Sequence, residues 1–120
     1  MKKRLQSFGY AFRGIMEVFG SETNMKIHLV ITALVIISGF AFAISIIEWM
    51  LCLLCIGLVV GAEMINTAIE KVVDLASPEQ HPLAGKAKDI AAGAVLICAF
   101  ISVIIGLLIF VPKVLPLIAS

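Results

Sequence analysis

Charge is scarce in this chain. Only 14% of its 120 residues are Asp, Glu, Lys or Arg, and the net charge at pH 7 is +1. That balance argues against nucleic acid as a partner, because no broad basic surface exists to neutralise phosphates. Cysteine is limited to Cys52, Cys55 and Cys98. The Cys52-x-x-Cys55 pair lies in an apolar run with no His or second Cys pair beside it. It therefore reads as small membrane-buried residues and not as a redox couple or half a zinc site. A cleavable leader is also missing from the expected features. Met1-Lys-Lys-Arg4 is basic, but an aromatic amphipathic stretch follows it instead of an apolar core.

What is present is hydrocarbon. The residues are 62% hydrophobic and the mean hydropathy is +1.15, against about 45–50% apolar residues in a soluble domain. Such an excess is covered by lipid. The chain reads as an all-α membrane protein, a single domain over residues 1–120. Residues 4–20 carry Leu5, Phe8, Phe12, Ile15, Met16 and Phe19 at three- and four-residue steps, with Lys2, Lys3, Arg4 and Arg13 as basic complement. This pattern predicts an amphipathic helix lying on the membrane surface. Gly20-Ser-Glu-Thr-Asn24 predicts a break and restart with Ser21 or Thr23 as N-cap. A place for Glu22 near a helix start suits its charge, and spacing alone favours that capping account.

Three spans follow, at residues 27–47, 49–68 and 90–111, each near the length needed to cross a hydrocarbon core of roughly 30 Å. The second helix is expected to run on to Ala76, and residues 77–88, with Pro78 and Pro82, form the loop. Pro112 and Pro116 are expected to end the third. Gly57-x-x-x-Gly61 and the stripe Ala94, Cys98, Ser102, Gly106 offer faces for close helix packing. Lys2, Lys3, Arg4, Arg13 and Lys26 precede the first span and Lys71, Lys86 and Lys88 flank the second loop. The connection at Glu48 has no Lys or Arg, so the N-terminus and the second loop are placed in the cytoplasm. Lys113 is the one exception to this distribution.

The costly feature is Glu63-Met-Ile-Asn66-Thr-Ala-Ile-Glu70-Lys-Val-Val-Asp74. Glu63, Asn66, Glu70 and Asp74 fall within an arc of roughly 80° on one helical face. A carboxylate inside an apolar span calls for a use. Glu63, the deepest, suits a general base. Glu22, Glu70 and Asp74 provide oxygens for Mg²⁺, and Lys86 and Lys88 can neutralise phosphates. The competing account is that these charges mark helix ends and pair with one another. No Walker-type loop is present, because Gly85-Lys86 lacks the upstream Gly and a following Ser or Thr. Nucleotide chemistry would thus rest on helix-borne carboxylates and metal. A rival from another class is a small proton- or ion-translocating subunit using Glu63, which needs neither the basic loop nor the second acidic pair. A scaffold of packed helices leaves Glu63 unexplained.

The motifs Glu63-x-x-Asn66-Thr-Ala-Ile-Glu70-x-Val-Val-Asp74, Glu79-x-His81-x-Leu-x-Gly-Lys-Ala-Lys88-Asp89 and Ala92-Gly-Ala-Val-Leu96 closely resemble the prokaryotic diacylglycerol kinase family, which includes undecaprenol kinases. Gly9-Tyr10, Gly14 and Glu22 extend the resemblance over nearly the whole chain. It implies a homotrimer of three-span protomers with shared active sites, in a bacterial cytoplasmic membrane. The implied activity is transfer of the γ-phosphoryl group of MgATP to a lipid hydroxyl, on undecaprenol or diacylglycerol. It assigns Glu63 as base with Asn66 in support, and Glu22 and Glu70 as Mg²⁺ ligands. Lys3 (or Arg4), Tyr10, Glu22, Glu70, Asp74, Glu79, Gln80, His81, Lys88 and Asp89 fall to the nucleotide side, with the role of Asp74 open. Lys26 stands where the family commonly has Arg, which bears on the lipid contacts.

Overall fold

The apolar runs fold as four helices in the computed structural model, which describes residues 1–119. In chain order they are α1 Lys2–Ser21, α2 Thr23–Ala41, α3 Ile46–Ala76 and α4 Pro82–Ala119. By length and composition α2, α3 and α4 can each cross a membrane. The amphipathic α1 leaves Leu5, Phe8, Phe12 and Met16 about two-thirds exposed. Among the described residues nothing covers that apolar stripe. Its one buried residue is Val18.

The junction at residue 22 differs from expectation. Glu22 itself holds the N-cap position of α2, with extended backbone and no side-chain cap bond. Ser21 does not cap, because its hydroxyl donates back to the Glu17 carbonyl at 2.7 Å. The break is instead satisfied through backbone, with Glu22 N–H donating to Val18 O and Lys26 N–H to Glu22 O.

The first crossing ends earlier than hydropathy indicates. α2 stops at Ala41, and Phe42 to Ser45 turn the chain into α3. Ala43 N–H bonds Phe40 O and Ile44 N–H bonds Gly39 O, while Ala43 is left-handed at φ 48°. This is a Schellman closure with alanine where glycine is usual. Ile44 is buried with Cys52 and Ile109, and Val35, Phe42, Trp49, Ile105 and Phe110 pack around them. Every residue of this turn except Ser45 is apolar, so the turn is invisible to hydropathy. Ser45 then opens α3 with a capping box. Glu48 N–H donates to Ser45 Oγ at 3.2 Å and Ser45 N–H to Glu48 Oε1 at 3.0 Å.

Helix α3 reaches Ala76 as expected, while the loop is shorter, Ser77 to His81. Pro82 begins α4, where its missing N–H is harmless, and Leu83 N–H donates to His81 Nδ1 at 3.1 Å. Lys86, Lys88 and Asp89 are therefore helical and not in the loop. Pro112 and Pro116 lie inside α4 and do not end it. Each removes one backbone donor, yet a membrane helix retains such residues when neighbouring groups resupply the freed positions. Between them, Lys113 Nζ donates to Ile109 O at 3.1 Å and to Glu48 Oε2 at 2.6 Å. The exceptional basic residue is thus an ion-pair partner, and it ties the far end of α4 to the start of α3.

The antiparallel hairpin of α3 and α4 is the most extensive packing, with α2 laid on α3 and α1 touching both α2 and α3. At about 1.5 Å per residue, the 38-residue α4 spans roughly 57 Å, nearly twice a hydrocarbon core. Its first turns, with Lys86 and Lys88, adjoin the 77–81 loop. Among the described residues, the glycines of the small-residue faces have open space beside them. A Cβ at Gly57, Gly61 or Gly106 would meet nothing within 4 Å. Gly39 is different: a Cβ there would come within 2.5 Å of the Trp49 ring.

Candidate active site at the loop end of the bundle

Along one face of α3 the polar groups change environment in order. Glu63, Asn66 and Thr67 are 3%, 5% and 2% exposed, Glu70 is half-buried, and Asp74 is exposed. The sequence spacing put Glu63, Asn66, Glu70 and Asp74 on one face, and the packing of α2 against that face grades them. Thr67 Oγ1 donates to the Glu63 carbonyl at 3.0 Å, which satisfies a buried hydroxyl without occupying the Glu63 carboxylate. Asn66 Nδ2 donates to Glu70 Oε1 at 3.2 Å. Its other amide atom, Oδ1, is buried without a partner. An unpaired buried acceptor is costly and waits for a donor or a cation.

The Glu63 carboxylate has a neighbour that sequence reasoning missed. His28 Nε2 on α2 lies 3.7 Å from Glu63 Oε2. A signal existed, since an imidazole one turn inside an apolar span is as unusual as the carboxylate it faces. His28 also lines an apolar groove of about 440 Å³ between α2, α3 and α4, with Ile31, Val35, Cys52, Cys55 and Ser102. The two cysteines of the C-x-x-C are free and belong to this wall.

Toward the loop, the same face of α3 runs into a polar concavity of about 600 Å³. Asp74, Glu79, Gln80, His81, Gly85 and Lys88 line it. Lys88 Nζ contacts Asp74 Oδ1 at 2.5 Å across the hairpin. This hydrogen bond to a carboxylate holds the Lys88 ammonium above its ordinary pKa, with the field of Glu70 adding to it. The structure thus gathers Asp74, Glu79, Gln80, His81 and Lys88. Asp89 is exposed one residue further along α4 and does not line the concavity. Lys3 and Tyr10 are exposed on α1, with Arg13 stacked 5.0 Å over the Tyr10 ring. Glu22 is half-buried at the α1–α2 junction. A weak surface pair, Lys71 Nζ to Glu17 Oε1 at 3.8 Å, links α1 to α3. Among the described residues, no three His, Cys, Asp or Glu side chains converge as a metal site.

A buried carboxylate beside an imidazole, a hard-oxygen group one turn away, and an open cradle with a lysine make a site at which two reactants of different polarity can meet. Comparison with known proteins shows the family of the chain. The pattern described as prokaryotic diacylglycerol kinase matches residues 9–110. An undecaprenol kinase from Bacillus subtilis (strain 168) is 50% identical over 113 residues, covering 94% of this chain and 92% of that protein. A diacylglycerol kinase from Synechocystis sp. (strain ATCC 27184 / PCC 6803 / Kazusa) is 40% identical over 119 residues, 94% of this chain and 65% of that protein. A diacylglycerol kinase from Escherichia coli (strain K12) is 31% identical over 100 residues, 83% of this chain and 82% of that protein. The chain belongs to the prokaryotic diacylglycerol kinase family and is a membrane-spanning lipid kinase.

Proposed function

We propose that this kinase transfers the γ-phosphoryl group of ATP to the primary hydroxyl of a membrane lipid, with undecaprenol favoured over diacylglycerol as acceptor. The observation that carries the reading is Glu63, a carboxylate held buried and free of side-chain hydrogen bonds beside His28, which lines the apolar groove, and on the same helix that supplies Asp74 to the polar cradle. The undecaprenol preference rests on the 50% identical relative of that name. Glu63 takes the proton of the lipid hydroxyl as its oxygen bonds the γ-phosphorus. The bond between the γ-phosphorus and the β–γ bridging oxygen breaks, and that oxygen leaves with its electron pair as part of ADP. Asn66 supports the base by holding Glu70 apart from it. Lys88 offers its charge to the phosphates, in exchange for Asp74. Glu79, Gln80 and His81, with Asp89, Tyr10 and Lys3 or Arg4, form the nucleotide side.

The residues present fit Mg²⁺. Glu70 and Glu22 are carboxylates, and the unpartnered Asn66 Oδ1 beside Glu70 is another hard oxygen in a buried place. Glu70 and Asn66 Oδ1 would supply one side of the coordination, leaving positions for Glu22, phosphate oxygens and water. Bound there, the ion would neutralise charge developing on the phosphoryl group.

Open faces at Gly57, Gly61 and Gly106 support assembly with further copies of the chain, as a homotrimer with shared sites, since their packing is unused within one copy. The basic residues around α1 and the 77–81 loop support a cytoplasmic position for the cradle, where ATP is found. A proton-relay role for Glu63 has no use for the lysine-bearing cradle. Purified protein incubated with labelled ATP and each lipid in turn tests the proposal. Phosphorylated undecaprenol in excess of phosphatidate is expected. Transfer to neither lipid overturns it, and a preference for diacylglycerol overturns the acceptor.

A further inference from the structure

The His28–Glu63 pair stands within ion-pair range but too far apart for a direct hydrogen bond. At 3.7 Å it exceeds the 2.7–3.2 Å of an N–H···O bond. Both groups are nonetheless withdrawn, with side chains 17% and 3% exposed, so the gap is not a solvated surface contact. One oxygen can touch two atoms spaced this way at about 2.8 Å each. A hydroxyl placed there donates its proton to Glu63 Oε2 and accepts from the Nε2–H of His28.

The approach to the gap is apolar. His28 lines the groove between α2, α3 and α4, and Glu63 does not. A hydroxyl arriving at the end of a hydrocarbon chain in that groove therefore meets His28 on its way to Glu63. The turn of α2 that carries His28 is also bonded through a side chain, since the His28 carbonyl accepts the Thr32 hydroxyl at 2.7 Å.

We propose that His28 is a substrate-binding residue that holds the acceptor hydroxyl against Glu63, with the hydrocarbon chain of the lipid alcohol leaving through the groove. This assignment rests on Glu63 being the base, and it adds the donor that orients the alcohol. A second copy of the chain in the groove is the competing occupant, and a purely structural α2–α3 contact is the competing role for His28.

Steady-state kinetics of His28→Leu, His28→Gln and His28→Asn, with the lipid alcohol and ATP varied separately in mixed micelles, test it. A Gln amide nitrogen reaches close to the place of Nε2, whereas an Asn amide stops near Nδ1. Loss of one substrate hydrogen bond in a buried site should lower kcat/KM for the lipid about 10- to 100-fold in His28→Leu. KM for ATP should stay within about twofold, and Gln should recover more than Asn. Unchanged lipid kinetics in His28→Leu would overturn the assignment. So would parallel losses toward lipid and ATP, or Gln performing no better than Asn. Should His28→Leu fail to fold, the Gln and Asn pair still decides. Glu63→Gln measured alongside separates the two readings, because full activity there removes the base itself, whatever His28 does.

Discussion

Asn66 donates to Glu70 across one helical turn while its own carbonyl oxygen stays buried without a partner. That arrangement orients one carboxylate and leaves an acceptor beside it. The account predicts that Glu70→Gln raises the Mg²⁺ concentration for half-maximal activity by at least about tenfold, since a neutral amide is a poorer ligand for a hard cation. Asn66→Ala should move the same titration in the same direction and lower kcat as well. A Mg²⁺ titration of phosphoryl transfer checks both, and an unchanged curve in Glu70→Gln removes it from the metal site.

Lys88 sits in the cradle with Asp74 at 2.5 Å. Lys88→Met should raise KM for ATP by about tenfold or more with little change in KM for lipid, because its charge faces the phosphate side. Asp74→Asn releases the lysine without removing it, so a smaller effect is expected. Asp74 also raises the pKa of Lys88. Stability from that pair is present below the ordinary lysine pKa and fades as pH rises through the higher folded value. The pair should therefore matter at neutral pH and weaken only in strong alkali, which thermal melts at pH 7 and at pH above 10.5 can read.

At the opposite end, Glu48 serves both the Ser45 capping box and Lys113. Glu48→Ala should destabilise more than Lys113→Ala, by about 1 kcal/mol for the lost cap. Neither should alter KM for ATP, since they lie at the far end of the hairpin from the cradle. Thermal unfolding in detergent measures the difference.

The α2–α3 turn makes two predictions of opposite sign. Gly39→Ala drives a methyl to within 2.5 Å of Trp49 and should cost about 1–3 kcal/mol, with a shifted Trp49 emission. Ala43→Gly relieves the left-handed residue at φ 48° and should stabilise by up to about 1 kcal/mol.

These two residues also show where the sequence was readable and where it was not. Composition and periodicity were enough for the four helices, because apolar runs in a membrane protein translate directly into spans. They failed at Phe42 to Ser45, where an alanine does a glycine's work and every cue is apolar. They failed again at Pro112, where a breaker by local rule stays helical beside the anchored Lys113. The site was legible as far as helical spacing reaches: Glu63, Asn66, Glu70 and Asp74 share a face. Depth along the span already set Glu63 deepest and Glu70 shallower, and what needed the packed bundle was the burial of Asn66 and Thr67 beside Glu63. His28 escaped because it is on another helix, and only packing brings it to Glu63.

The most direct measurement is Glu63→Gln. In mixed micelles with saturating Mg²⁺ and lipid, the account predicts a loss of kcat of about 10²-fold or more, while an ATP analogue binds with wild-type affinity. Full turnover in that variant would contradict the central claim that the buried carboxylate takes the proton of the lipid alcohol.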